Sequence, residues 1–159
     1  MKKRIIYIDM DNVLVNFKSG LDRVPEKVKM QYADDGSGKP IYDEIPGIFA
    51  LMDPMPGAIE AIQELSEHFD LYILSTAPWL NPSAWIDKVK WVQLYFGAGK
   101  DSVFYKRLII SHHKDLNHGH FLIDDRPKNG ASEFEGEWIE FGSQGFPDWP
   151  TVVKYLLAK

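Results

Sequence analysis

The amino-acid sequence predicts an α/β protein with a mostly parallel sheet, and three observations support this prediction. Residues 5–8 form a short, β-branched apolar run, which is typical of a strand covered on both faces. Strand-like and helix-like segments then alternate with short links, an order that favours parallel pairing. Acidic or hydroxyl residues follow three of the strands, at the edge where open α/β sheets bind ligands. We therefore expect a three-layer, Rossmann-like fold with a small helical cap inserted after the first strand.

The size and composition of the chain fit one well-buried core with a small insertion. The chain has 159 residues, of which 45% are hydrophobic and 26% charged, as in ordinary globular proteins. A net charge of −5 gives no basic surface for long nucleic acid, although a small phosphorylated ligand needs only a few local cations. We expect a small-molecule partner and no long nucleic acid.

The sequence also favours a cytoplasmic location. It contains no cysteine, which excludes disulfides and thiolate metal sites and fits a reducing compartment. The basic start is followed by only a short apolar run before Asp9, which is too short for the core of a signal peptide. No stretch approaches the length of a membrane span, so no membrane partner is expected.

The segment after the first strand is the predicted cap. Residues 12–33 have helical spacing, and Pro25 divides them into two short helices. Residues 34–40 have the composition of a loop, and residues 41–52 are apolar and aromatic without a clear period. We expect the core domain to comprise residues 1–16 and 54–159, with residues 17–53 covering the end of the first strand.

The remaining chain alternates between helix and strand signals. Apolar spacing predicts a helix over residues 58–69, followed by a strand over residues 70–76. Asn81 is a candidate cap for a second helix, which Pro82 begins and Gly97 ends. Further strands are predicted over residues 107–111, 120–125 and 137–141, with a closing helix over residues 149–157.

Carboxylates from two strands are predicted to meet at one edge of this sheet. Asp9 and Asp11 follow the first strand, and strand periodicity projects their side chains the same way. Two carboxylates that close repel each other unless a cation lies between them or one is protonated. Asp124 and Asp125 end another strand, so the four carboxylates make an all-oxygen site suited to Mg²⁺.

Polar residues beside these carboxylates indicate a phosphoryl ligand. Ser75 and Thr76 end the second strand of the core, and Lys114 closely follows the third. A hydroxyl and an ammonium next to a magnesium site are typical of phosphoryl binding. Thr76 could instead cap a loop. His112 and His113 could suggest a second metal, but adjacent histidines without a third partner favour a solvated loop.

Five segments, in order along the chain, resemble the 5′(3′)-deoxyribonucleotidase family of haloacid dehalogenase-like phosphatases. They are Asp-Met-Asp-Asn-Val-Leu at 9–14, Pro-Met-Pro-Gly-Ala at 54–58, Thr-Ala-Pro at 76–78, Lys-Val-Lys-Trp-Val with Tyr-Phe-Gly at 88–97, and Leu-Ile-Asp-Asp-Arg-Pro at 122–127. Each segment is a weak signal alone, but five in the family's order are specific. The resemblance covers most of the chain except the cap and the C-terminal stretch.

The resemblance implies a Mg²⁺-dependent phosphatase for nucleoside monophosphates, with deoxyribonucleotides as the expected substrates. Asp9 would form an aspartyl-phosphate, and Asp11 would protonate the leaving oxygen and then activate water. Asp9, the Asp11 carbonyl and Asp125 would hold Mg²⁺. Asp124 would either coordinate the ion directly or contact one of its ligands. The implied phosphate contacts are Thr76, Lys88 and Lys114, and the implied substrate contacts are Phe17, Phe49 and Trp79.

Two positions depart from the family pattern and leave alternatives open. Asn12 stands where glycine is usual, although Asn tolerates a positive φ well. Ala77 replaces a hydroxyl residue and removes one candidate contact with phosphate or sugar. A phosphatase for another small phosphoester and a non-catalytic nucleotide-binding protein are the alternatives, and a homodimer is compatible with the sequence. The pair Asp9 and Asp11 favours catalysis, because a binding protein needs no nucleophile and acid.

Overall fold

A five-stranded parallel sheet forms the centre of the protein in a computed structural model that describes residues 2–159. Its strands, in spatial order, are β5 (Leu108–Ile110), β4 (Asp70–Ser75), β1 (Ile5–Ile8), β6 (Phe121–Asp124) and β7 (Glu137–Glu140). All four neighbouring pairs are parallel, as predicted. A separate antiparallel pair joins β2 (Val15–Asn16) to β3 (Asp53–Pro54).

Five α-helices and three short 3₁₀ segments complete the described chain. The helices are α1 (Phe17–Asp22), α2 (Glu26–Gln31), α3 (Ala58–His68), α4 (Pro82–Phe96) and α5 (Trp149–Leu157). The 3₁₀ segments are Tyr42–Glu44, Ile48–Leu51 and Lys114–Leu116. The predicted break at Pro25 is confirmed, because α1 ends at Asp22 and Pro25 directly precedes α2. None of the helices in residues 2–159 is long and apolar enough to cross a bilayer.

The two faces of the sheet are covered differently. Side chains alternate along β1, so Ile6 and Ile8 join the large cluster that contains α3, α4 and α5, while Tyr7 belongs to a smaller cluster. Residues of the loop after β6, including Ala131 and Phe134, cover Tyr7. Only residues 111–120 link β5 to β6, which is too short for a helical crossover. The predicted α/β class is confirmed, and loops supply the layer on the second face.

The cap segment leaves and rejoins the core at one place. Val15 pairs with Pro54 and Asn16 with Asp53, so the chain enters and returns on adjacent strands. Buried cap residues such as Ile48 extend the same hydrophobic cluster as β1. The division into a core of 1–16 and 54–159 and a cap of 17–53 stays a prediction.

Asn81 precedes Pro82 at the predicted N-cap position of α4, but its side chain does not have the capping role. Its side chain makes no capping hydrogen bond to α4. Instead, its amide donates to the carbonyl oxygens of Asp43 and Ile45, at 2.9 and 3.1 Å. These carbonyls need such donors, because this part of the cap has little regular structure to supply them. Asn81 therefore fastens the cap to the start of α4.

Candidate active site

Three carboxylates converge at the carboxyl edge of the sheet. β1 and β6 are neighbours, and the Asp9 amide donates to the carbonyl of Ile123 at 2.9 Å. One oxygen each from Asp9, Asp124 and Asp125 lies within 4.8 Å of the others. The parallel pairing of β1 with β6 thus brings together residues that are more than 110 positions apart in the sequence.

A tight turn after β1 carries Asp11. The amides of Val13, Leu14 and Val15 all donate to the carbonyl of Met10, at 2.9–3.1 Å. Asn12 has a φ of 61°, the left-handed region that its side chain tolerates better than most. Asn12 therefore accommodates this turn, as expected.

Lys114 lies between two of the carboxylates. Its Nζ is 3.0 Å from Asp9 Oδ1 and 2.5 Å from Asp124 Oδ2. The residue is fixed by its backbone amide, which donates to the carbonyl of Asn129 at 2.7 Å. The next residue in that loop, Gly130, has a φ of +82°, and a Cβ there would be 2.1 Å from an oxygen of Asp115. Glycine is needed at this close approach, which holds the Lys114 segment in place.

Burial and mutual repulsion shift the protonation of this cluster. Burial, followed by the nearby charge of Asp9, raises the pKa of Asp124 to about 7 and that of Asp125 to about 6. Burial also raises the pKa of Asp11, although the Lys88 ammonium opposes this shift. Burial acts to lower the pKa of Lys114, but the charges of Asp9 and Asp124 outweigh it and raise that pKa. The site therefore favours additional positive charge.

Asp125 gives a direct test of whether a cation fits. Its Oδ1 is buried and has no hydrogen-bond partner, the one such side-chain atom among the described residues. A buried, unpaired carboxylate oxygen is strongly unfavourable unless a donor or a metal ion satisfies it. The donor set is entirely oxygen, which is the set that Mg²⁺ prefers. The residues present thus fit a bound Mg²⁺.

The raised pKa values predict how stability depends on pH when no divalent ion is added. A carboxyl with a higher pKa in the folded chain stabilises the fold while protonated, and this contribution is lost as the pH rises. For Asp124 and Asp125 the window runs from the ordinary pKa of 3.8 to the raised values of about 7 and about 6. We expect the melting temperature in a chelator to fall across this window, and to fall less in Asp125→Asn.

Scanning calorimetry across that pH window measures the effect. Asp101→Asn is the matched control, because Asp101 is exposed and belongs to a different cavity at the opposite edge of the sheet. The control is expected to keep the wild-type slope. Equal slopes for Asp125→Asn and the wild type would contradict the assignment of the shift to this cluster.

A cavity of about 560 Å³ opens beside the carboxylates. Phe17, Thr76 and Trp79 line it, together with Asp11. Its inner extension reaches Asp9, Lys114 and Asp124. The Thr76 hydroxyl also donates to the carbonyl of Ser111 at 2.8 Å, so it both supports a loop and faces the cavity.

Three of the sequence-predicted site residues, Phe49, Lys88 and Asp125, line neither this cavity nor its inner extension. Phe49 is 3% exposed and packs behind Phe17, with ring centroids 6.0 Å apart at an interplanar angle of 72°. Lys88 is fully buried, and its Nζ lies 3.1 Å from Asp11 Oδ2. The predicted contact of Phe49 with substrate would require movement of Phe17. The predicted contact of Lys88 with phosphate would require the lysine to leave Asp11.

The structure adds residues that the sequence did not single out. Arg126, Lys128 and Asn129 line both the cavity and its inner extension. They directly follow the acidic pair at the end of β6, and this position at a strand end was the available signal. His112 lines the mouth and packs against Trp79 at 6.2 Å. The metal-type cluster found in residues 2–159 contains neither His112 nor its neighbour His113.

Comparison with known proteins identifies the family. The family model described as 5′ nucleotidase, deoxy (pyrimidine), cytosolic type C protein matches residues 3–145. A Vibrio phage KVP40 protein, provisionally named 5′(3′)-deoxyribonucleotidase, is 59% identical over 99% of this chain and 86% of its own. The human 5′(3′)-deoxyribonucleotidase, cytosolic type, is 29% identical over 84% of this chain and 76% of its own.

Solved structures share the fold. A haloacid dehalogenase-like family hydrolase from Xanthomonas campestris superposes with a TM-score of 0.59, 9% identity, and coverage of 99% of this chain and 96% of its own. The Bacillus subtilis protein YfnB, provisionally assigned as a HAD-hydrolase and crystallised with magnesium, gives 0.53, 13% identity, and coverage of 93% and 90%. The predicted family is confirmed, and the chain belongs to the cytosolic type C 5′ nucleotidases, a nucleotidase family with the haloacid dehalogenase-like hydrolase fold.

Proposed function

We propose that this nucleotidase hydrolyses nucleoside monophosphates, preferring deoxyribonucleotides, through a Mg²⁺-dependent aspartyl-phosphate mechanism. The observation that carries the proposal is the placement of Asp9 and Asp11 at the inner end of a cavity with aromatic walls. Asp9 lies 3.0 Å from the ammonium of Lys114, and Asp11 lines both the cavity and its inner extension. A nucleophile and an acid are thus held side by side where a phosphate ester can enter.

Two carboxylates with different roles can split the hydrolysis into two displacements. A carboxylate oxygen of Asp9 attacks phosphorus, and the bond from phosphorus to the nucleoside oxygen breaks. The carboxyl of Asp11 gives its proton to that oxygen, and its raised pKa, caused first by burial, supports this role. Asp11 then takes a proton from water, whose oxygen attacks phosphorus and releases Asp9 and inorganic phosphate.

The charge of the phosphoryl group needs several cations around it. Asp9, Asp125 and the Asp11 carbonyl would hold Mg²⁺. Asp124 would either coordinate the ion directly or contact one of its ligands. When bound, Mg²⁺ supplies positive charge to the phosphoryl oxygens. Lys114 lines the inner extension of the cavity together with Asp9 and Asp124. Phosphate-monoester hydrolysis is among the slowest uncatalysed reactions, and enzymes accelerate it by up to ~10²¹-fold.

The walls of the cavity support a nucleoside as the leaving group. Phe17 and Trp79 both line it, and base–aromatic stacking contributes about 1–3 kcal/mol per base. An apolar wall against the 2′ position would leave a ribose hydroxyl unpaired, which costs roughly 1–3 kcal/mol. That cost corresponds to about a ten- to hundredfold preference for deoxyribonucleotides. The human relative is named for the same substrates and as a cytosolic type, and the cytoplasmic location and homodimer stay predictions.

Phe17→Ala is the test of this assignment. We expect the variant to lose about tenfold or more in kcat/KM on dUMP, because a stacking wall is removed, and to change little on p-nitrophenyl phosphate. The measurement is kcat/KM for dUMP, UMP and p-nitrophenyl phosphate in wild type and variant. Tyr105→Ala removes a comparable ring at a different cavity and is the control.

The wild-type ratios separate the proposal from its alternatives. A preference for UMP over dUMP, or turnover of p-nitrophenyl phosphate with no nucleotide activity, would contradict the deoxyribonucleotide assignment. Phosphate release from a panel of phosphorylated metabolites would then identify another phosphoester. No release from any member would favour a non-catalytic nucleotide-binding protein.

A further inference from the structure

Lys88 is a fully buried cation in the middle of α4. Its side chain has 0% exposure, although a lysine ammonium is strongly hydrated in water. Burial of an ammonium is very unfavourable unless protein groups replace the lost water. The protein groups that replace this water around Lys88 indicate its role.

The Lys88 ammonium has a complete set of partners. Its Nζ donates to both carboxylate oxygens of Asp11, at 3.2 and 3.1 Å, and to Ser75 Oγ at 3.0 Å. The ring of Phe49 covers it from another side, with its centroid 4.5 Å from Nζ. An ammonium has three N–H donors, so these three acceptors and the aromatic face use its full capacity.

These partners separate Lys88 from the reacting group. Asp11 lines the cavity and its inner extension, whereas Lys88 and Phe49 line neither. Lys114 and Thr76 line the inner extension and are the residues that a phosphoryl group there would contact. Lys88 can therefore reach the chemistry only through Asp11.

We propose that Lys88 is a positioning residue for Asp11 and not a phosphate ligand. It fixes the Asp11 carboxyl at the inner end of the cavity. Lys88 also links the position of Asp11 to the cap, because it contacts the Phe49 ring. That ring packs on Phe17, which forms part of the cavity wall. The inference rests on the proposed function, in which Asp11 protonates the leaving nucleoside oxygen.

The reactivity of different leaving groups distinguishes this role from a phosphate contact. A deoxynucleoside leaves as a poor alkoxide that needs the proton of Asp11, whereas p-nitrophenolate leaves as a stable anion. In Lys88→Met we expect kcat on dUMP to fall about 10²-fold and kcat on p-nitrophenyl phosphate to fall less than about tenfold. The affinity for inorganic phosphate, measured by calorimetry, is expected to change less than about threefold, because a residue that makes no phosphate contact does not alter binding.

Two controls keep the comparison specific. Lys90→Met removes an exposed lysine from the same helix and is expected to match the wild type in both substrates. In an Asp11→Asn background, Lys88→Met is expected to add less than about a threefold further loss, because a positioning residue has no effect once its target is gone. Ser75→Ala, which removes one partner of Lys88, is expected to give a smaller loss with the same bias towards dUMP.

Specific results would overturn the inference. Equal losses on dUMP and p-nitrophenyl phosphate, or a tenfold weaker phosphate affinity, would assign Lys88 to phosphate binding or to folding. If Lys88→Met does not fold, an unbiased loss in Ser75→Ala has the same meaning. A wild type that hydrolyses alkyl phosphates but no nucleotide would remove the proposed substrate, and the alkyl ester would then replace dUMP in the comparison and still decide the role of Lys88.

Discussion

Asp9→Asn is expected to remove all measurable turnover of a deoxynucleoside monophosphate. The amide has nearly the same shape as the carboxylate, so Lys114 keeps its contact with Asp124 and the fold should be retained. An amide cannot accept the phosphoryl group, because its nitrogen and oxygen lack the charge of a carboxylate nucleophile. Removal of the nucleophile from a covalent mechanism costs on the order of 10⁶-fold. The expected residual rate is therefore at the background of the assay.

The measurement pairs turnover with detection of the intermediate. Acid quenching followed by intact-protein mass spectrometry should find one added phosphoryl group in the wild type and none in Asp9→Asn. Asp101→Asn, at an exposed position away from the cavity, is expected to behave like the wild type. An Asp9→Asn enzyme with half of the wild-type activity would exclude the covalent mechanism.

Removal of divalent ions is expected to have the second largest effect. The buried oxygen of Asp125 has no hydrogen-bond partner among residues 2–159, and its neighbours Asp9 and Asp124 are also carboxyl groups. Without a cation, the negative charge of this cluster opposes the approach of an anionic phosphate. Activity should fall to background in a chelator and return fully with Mg²⁺.

The Asp125→Asn variant is the internal comparison for this experiment. It should need much more Mg²⁺ for half-maximal activity, because one of the proposed ligands has lost its charge. A Mg²⁺ titration of Asp124→Asn in parallel would show whether Asp124 coordinates the ion directly or only contacts one of its ligands. Full turnover of the dialysed wild type in excess chelator would contradict the magnesium assignment.

The sequence predicted the sheet and its acidic edge because both depend on short-range patterns. The apolar run of β1 and the spacing of α5 were sufficient to place those elements, and parallel pairing then brings the carboxylates of Asp9 and Asp124 together. Residues 41–52 had no clear period because they form 3₁₀ turns separated by irregular chain.

The partners of buried residues could not be predicted in the same way. Lys88 occupies a helix position that spacing alone assigns to the buried face, but its contact with Asp11 joins residues 77 positions apart. The position of Phe49 behind Phe17 depends on how the irregular half of the cap folds back on α1. No periodic signal reports such contacts, because they arise from packing between segments.

The pairing of β2 with β3 bears on how substrate range can change during evolution and in engineering. The two ends of residues 17–52 meet at adjacent backbone positions, so this segment forms a closed loop above the carboxyl edge of the sheet. The free-energy cost of such a loop rises only logarithmically with its length, by about 0.6 kcal/mol for each doubling. A cap transplanted from a relative, or redesigned, can therefore be longer or shorter without displacing Asp9. Any successful graft must still provide an aromatic face over Lys88, because Phe49 is the part of the cap that covers this buried charge.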